Sequence, residues 1–157
     1  MQREITGFRQ DELDDWVAEL ACFHAQHVRH RPPFAPRPWV ETESGRSEHL
    51  GSTLDCPLCD RAELPDGLTV ARTAGPFDEA TLPPGLQQDH RVATGTWGLL
   101  RVLSGSVHFT MQTEPPVAVD LEPGDHQPIP PGVPHAVALD SGTIEVDFLG
   151  RTDDQKR

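Results

Sequence analysis

The chain has 157 residues, enough for one ordinary domain or for a small module joined to a domain of about 100 residues. Acidic residues outnumber Lys and Arg 25 to 13, and the formal net charge of -12 opposes general binding to nucleic acid or to an anionic membrane. No stretch is long and apolar enough to span a bilayer, and the start, Met1-Gln2-Arg3-Glu4-Ile5, lacks the apolar run of a signal peptide, so the expected compartment is the cytoplasm.

In that reducing compartment three cysteines point to metal or redox chemistry and not to a disulfide framework. All three, Cys22, Cys56 and Cys59, precede residue 60, whereas the chain beyond about residue 68 has no cysteine and is rich in Gly/Pro turns. The expected organisation is therefore a Cys/His module over 1–60, a linker near 60–67, a β-domain over 67–150 and a charged, flexible tail at 151–157.

In the first module, residues 4–9 and 16–21 read as a hairpin around the polar turn at 11–15. Trp16, Ala18 and Leu20 share one face by the two-residue period. Four prolines in 31–38 exclude regular structure, and a short helix over 45–50 is stopped by Gly51. A module this small buries little apolar surface and needs a staple such as a metal.

In the second part, strands are expected near 68–73, 98–103, 106–111, 117–121, 127–129, 136–139 and 143–149. Tight turns are expected at Leu103-Ser104-Gly105-Ser106 and Glu122-Pro123-Gly124-Asp125. Many short strands with frequent turns and no helix predict an all-β sandwich or barrel.

Cys56-Pro57-Leu58-Cys59 has the C-x-x-C spacing with which two thiolates on a tight knuckle grip a tetrahedral Zn²⁺. The upstream run from Cys22 to His30 adds a third thiolate and three imidazoles. A closed structural Cys₃His site follows from Cys22, Cys56, Cys59 and one histidine, with His24 and His27 nearest. The alternative, a thioredoxin-like redox pair, belongs near a βαβ unit, which is absent. Arg29, His30, Arg31 and Arg37 around Phe34 and Trp39 would suit an anionic partner. The preferred reading is blander: proline and aromatic groups cover the hairpin while the arginines pair with the many acids.

With its hairpin leading to Cys22, Gln26–His30, Pro32-Pro33, Arg37-Pro38-Trp39 and the closing Cys56/Cys59, the stretch 1–59 resembles a small bacterial domain family of unknown function. That family usually has glycine after the first cysteine, where this chain has Phe23.

The run from Gly124 to His135 fits the second cupin motif, G-x₅-P-x-G-x₂-H, with Pro130-Pro131-Gly132 turning His135 inward. Of the first motif only Gly85 and His90 remain, and Gly98 stands where a glutamate is usual. The run His90-x₄-Gly95-Thr96-Trp97-Gly98, then Val102–Gly105, His135 and Ile144–Phe148, resembles the cupin-like domain of tellurite-resistance (TehB-like) proteins over about 67–150. The resemblance implies a mainly β fold, a cupin-like double-stranded β-helix barrel, and a metal site of His90, His135 and Asp147. Such ligands suit Zn²⁺, Fe²⁺, Ni²⁺ or Mn²⁺ and leave positions open for water or substrate. Asp147 shares a face with Glu145, opposite Val146 and Phe148, and the pattern does not say which face is core. His108 and His126 are lesser candidates.

The expected function is a metal-binding cupin-like protein that binds or transforms a small oxygen-rich or oxyanion-type ligand in a stress response; whether it is an enzyme stays open. The alternative is a non-enzymatic sensor or adaptor whose barrel binds an effector while the zinc module contacts a protein or nucleic-acid partner. A homodimer is compatible with either.

Overall fold

A computed structural model describes residues 1–152 of the chain; part of the expected tail, 153–157, lies outside the described residues. The chain divides into two units, Met1–Pro57 and Leu58–Arg157. No helix among the described residues is long and apolar enough to cross a membrane.

The first unit is a four-stranded antiparallel sheet in the order β3-β2-β1-β4. Its strands are β1 (Gln2–Gln10), β2 (Trp16–Leu20), β3 (Ala25–His27) and β4 (Thr53–Asp55). The β1–β2 turn is closed by Asp11, whose carboxylate accepts from the Leu13 and Asp15 amides at 2.8 and 3.0 Å. Ile5, Val17, Ala18, Leu20, Val28 and Val40 form its buried core. Burial of Ala18 beside Val17 exceeds the single-face period, because both faces of β2 are covered.

Helix α1 (Glu43–His49) starts at Thr42, whose hydroxyl accepts from the Gly45 amide at 3.1 Å. Gly51, just beyond its end, has φ +83°, a left-handed position that glycine adopts without penalty. His49 stacks on Trp39 at 3.8 Å, and the Arg46 guanidinium lies 3.6 Å from the Trp16 ring centroid.

The second unit holds a five-stranded antiparallel sheet, β5-β9-β6-β7, with β8 also paired to β6. Here β5 is Thr69–Phe77, β6 Trp97–Met111, β7 Val117–Leu121, β8 His126–Ile129 and β9 His135–Gly150. The expected hairpin turn at 103–106 does not form. β6 runs through it and pairs with β9 along nearly its whole length, so four expected strands are two long ones.

The physical reason lies across the sheet: Gly105 faces Gly142, both at positive φ. A Cβ on Gly105 would strike the Ser141 carbonyl, and one on Gly142 the Ser104 carbonyl. Ladder irregularities flank this seam, between Val102 and Ser104 and between Ser106 and Val107. On one side of it β6 pairs with β8, on the other with β7. Trp97, Leu100, Phe109, Met111 and Ile144 are fully buried around the seam. Each contributes about 1.5–3 kcal/mol relative to an exposed side chain.

Candidate metal centre and ligand pocket

The knuckle that carries C-x-x-C is α2 (Pro57–Asp60), a single helical turn. The division between the units falls inside it, but Cys59 follows Cys56 by one turn, so the chain itself sets their spacing. Cys22 leaves the end of β2, and a tight turn closed by Phe23 N–H to Leu20 C=O at 2.8 Å returns His24 toward it. Phe23 holds φ +69° in this turn, the conformation that glycine adopts freely. The glycine expected here from the resemblance would adopt this conformation freely, and the phenylalanine has not stopped His24 from folding back.

One ligand atom from each of Cys22, His24, Cys56 and Cys59 lies within 4.8 Å of the other three, and all four residues are buried. Cys22 Sγ and Cys56 Sγ are 3.9 Å apart, and His24 Nδ1 is 3.5 Å and 3.4 Å from them. Ligands on tetrahedral Zn²⁺, with Zn–S of about 2.3 Å and Zn–N of about 2.0–2.1 Å, stand about 3.5–3.8 Å apart. The donor set and its spacings therefore fit a zinc ion. Burial works to lower the His24 pKa, but hydrogen bonds to Cys22 and Cys56 and their charge outweigh it, raising it to about 9. A positive charge between the sulfurs is favoured, be it a proton or a metal.

The other histidine considered for this place is engaged elsewhere: His27 Nε2 lies 2.7 Å from Asp11 Oδ2. His30 Nδ1 accepts the Arg37 amide at 2.8 Å. In the arginine strip, Arg29 pairs with Asp15 at 2.9 Å, and Trp39 is occupied by His49 and Phe8. Phe34 stays 94% exposed at the tip of the 31–35 turn.

In the second unit, His90 and His135 exchange backbone hydrogen bonds of 2.8 and 2.9 Å, an isolated antiparallel bridge. Their rings meet with His90 Nδ1 3.3 Å from His135 Nε2. His135 Nδ1–H donates to the Val133 carbonyl at 3.1 Å, which assigns the other nitrogen as the lone-pair donor directed at His90. Burial lowers the pKa of His135, the Val133 bond opposes this, and the charge of His90 adds to the lowering, so the neutral form of the ring is favoured.

Asp147 does not join them. Val146 and Phe148 line the same cavity as His90 and His135, so the alternation of β9 turns Asp147 to the other face. There it accepts from Thr73 Oγ1 at 2.6 Å and pairs with Arg101 at 2.9 Å, which also reaches Glu145 at 2.7 Å. Burial raises its pKa, but the bonds from Arg101 and Thr73 prevail and hold it below the ordinary value. Of the three ligands expected from the family resemblance, the structure brings His90 and His135 together and leaves Asp147 with Thr73 and Arg101. His108 pairs with Asp120 at 2.7 Å on the surface, and His126 lies opposite Arg101 in the ladder.

The cavity beside the pair measures about 200 Å³ and is walled mainly by apolar groups, including Leu100, Val137, Val146 and Phe148. Residues from both sides of the Gly105/Gly142 seam line it, so the sheet curls its two ends over one space. Gly98 contributes no side chain: a Cβ there would meet Val92 at 3.1 Å and Ile129 at 3.3 Å. A side chain at this place, where a usual cupin motif has glutamate, would need Val92 and Ile129 to give by a few tenths of an ångström. Arg72, which the sequence reading passed over, also lines the cavity, its guanidinium 4.0 Å from the Phe148 ring centroid. No local pattern marks it; only its pairing opposite Phe148 across β5 and β9 does.

Comparison with known proteins matches two separate stretches of the chain. Residues 6–63 match the family described as protein of unknown function (DUF3565), and residues 72–147 match the TehB-like domain. No curated protein matches. Among solved structures, TehB from Haemophilus influenzae is similar at 25% identity and a TM-score of 0.51, over 57% of this chain and 33% of that one. This chain thus spans about a third of the length of that relative. A protein from E. coli (strain K12) is similar at 19% identity and a TM-score of 0.49, over 57% of this chain and 96% of that one.

Proposed function

We propose that this chain, a DUF3565-type module followed by a TehB-like domain, is a metal-binding protein whose second unit takes up a small molecule. The amino-terminal centre of Cys22, His24, Cys56 and Cys59 is a closed structural zinc site, since four protein donors leave no position for substrate. The second unit is read as a cupin-like barrel, and its curled sheet with a cavity between the ends supports that reading. The observation that carries the function is the imidazole pair at a mainly apolar cavity. Buried polar groups beside empty apolar space are what ligand sites provide.

The 3.3 Å between the two nitrogens also fits neighbouring donors on one metal, for which Zn–N bonds of about 2.0–2.1 Å at tetrahedral angles place nitrogens about 3.3 Å apart. A divalent ion of the zinc, iron, nickel or manganese type would be held by His90 and His135 alone, with its other positions left to water and ligand. Such a metal would supply Lewis acidity. His135, neutral and oriented by Val133, is prepared to donate its lone pair.

Elemental analysis of the purified protein tests this. Two equivalents of metal are expected; Cys56→Ser removes one, and His135→Ala the other without disturbing the first. A single equivalent indifferent to His135→Ala would remove the second metal and leave the cavity as a metal-free pocket. The adaptor reading keeps one observation of its own, the fully presented Phe34. Its test is whether Phe34→Ser abolishes a partner contact while both metals remain.

A further inference from the structure

The cavity carries a charge preference that none of the preceding roles uses. Among the described residues no Asp or Glu lines it, although the chain as a whole is strongly acidic. Arg72 lines it instead. Among the described residues, Arg9, Arg29, Arg61 and Arg101 each pair with a carboxylate, whereas no carboxylate pairs with Arg72. Its guanidinium lies over the Phe148 ring, a cation–π contact that does not use up its N–H donors. The remaining wall is aliphatic or aromatic, and the two imidazoles are the other polar groups there.

A volume of about 200 Å³ lies below the range of about 300–1,000 Å³ typical of drug-sized ligands. The occupant is therefore small, and its body is apolar, because an oxygen-rich ligand would lose its water without gaining partners on these walls. We infer that the cavity takes a small monocarboxylic acid, its hydrocarbon body against Leu100, Val137, Val146 and Phe148 and its carboxylate on the guanidinium of Arg72. Arginine suits this head group because its fork meets both oxygens. The inference rests on the proposed reading of the cavity as a ligand pocket, and it replaces the oxygen-rich ligand expected from sequence with an amphipathic one.

Calorimetric titration of the full chain with hexanoate and with hexanamide tests it. The two probes share a body and differ in charge. Hexanoate is expected to bind at least about fivefold more tightly. Arg72→Gln should bring hexanoate to the level of hexanamide while leaving hexanamide unchanged, and Arg72→Lys should restore part of the difference. Thermal melting of each variant verifies that the unit is folded. Equal binding of both probes to the parent protein would overturn the charge assignment and spare the pocket. A preference for hexanoate that survives Arg72→Gln but disappears in His135→Ala would move the anion to the imidazole pair and overturn the role of Arg72. Binding of neither probe to the folded protein would overturn the pocket itself.

Discussion

Each unit removes one histidine from water, and the two units set its proton affinity in opposite directions. His24, among sulfurs, is raised to about 9 even though burial opposes it. His135, among apolar side chains, is lowered chiefly by burial. The first environment attracts a cation and encloses it with four donors; the second keeps a ring neutral beside empty space. A closed donor set fits a structural ion, and an incomplete one beside a cavity fits exchange with solvent and ligand. The same residue type thus marks a staple in one place and a receptive surface in the other. What surrounds the imidazole decides between them.

The largest expected effect breaks the first half of this contrast. Cys56→Ser removes one of four donors, and structural zinc contributes on the order of 10 kcal/mol to folding in modules of this size. The amino-terminal unit should lose its zinc and its sheet, read by metal content and far-ultraviolet circular dichroism. Loss of the zinc with the sheet retained would show that the core of Ile5, Val17 and Leu20 stands alone. Proton linkage gives the same centre two signatures of opposite sign. With zinc bound, affinity falls on acidification, because the thiolates and the imidazole take up protons. Without zinc, the stability due to the raised His24 is fully present below pH 6.5 and is lost as pH rises through about 9. For His135 the sign differs again. Its lowered pKa makes the unfolded chain the better proton acceptor, so stability falls as pH drops below about 6.5.

Next in size is a change that should spare the zinc centre and remove the cavity. Gly142→Ala drives a Cβ into the Ser104 carbonyl at a positive φ, at a cost of at least about 3 kcal/mol. The expected result is one equivalent of metal retained and hexanoate binding lost. Equal binding by this variant would mean that the seam yields without uncurling the sheet.

How much of this was legible in the sequence follows from the distances involved. The C-x-x-C knuckle is local, and its spacing alone announces a metal. Choosing His24 over His27 required the geometry of a four-residue turn, with Phe23 at positive φ and Asp11 holding His27. The seam was misread as a hairpin because Ser104-Gly105-Ser106 carries turn chemistry, while Gly142, which makes it a bend between long strands, lies far along the chain. The alternation of 145–148 separated two faces correctly but did not say which face was inside. The aromatic and aliphatic pair, Val146 and Phe148, took the cavity, and the two acids took Arg101. Arg72 had no local signal at all.

The opposite face of the same sheet offers a smaller perturbation. Arg101→Ala leaves Asp147, which is 7% exposed, without its main partner, at a cost of about 1–3 kcal/mol once the partial exposure of Arg101 and Glu145 is allowed for. Since the carboxyl is now held below its ordinary value, its stabilising effect is present above about pH 4 and lost as pH falls through the lowered pKa. In the variant, burial acts unopposed by Arg101, so acid unfolding should begin at higher pH. Denaturant melts across pH 2–7 read this. A metal loss accompanying Arg101→Ala would return Asp147 to the ligand set and undo the contrast between a complete and an incomplete site.

The smallest effect concerns the turn that completes the first centre. Phe23 sits at φ +69°, where a side chain costs roughly 1–2 kcal/mol relative to the right-handed region. Glycine removes that cost but adds about 0.5–1 kcal/mol of backbone freedom to the unfolded chain. The net gain for Phe23→Gly is therefore about 0.5–1 kcal/mol, or zinc held roughly two- to fivefold more tightly against a competing chelator. Phe23→Asn, which also tolerates the left-handed conformation, should gain less. Weaker zinc in the glycine variant would show that the half-buried phenyl ring contributes more to the closed centre than the backbone strain takes away.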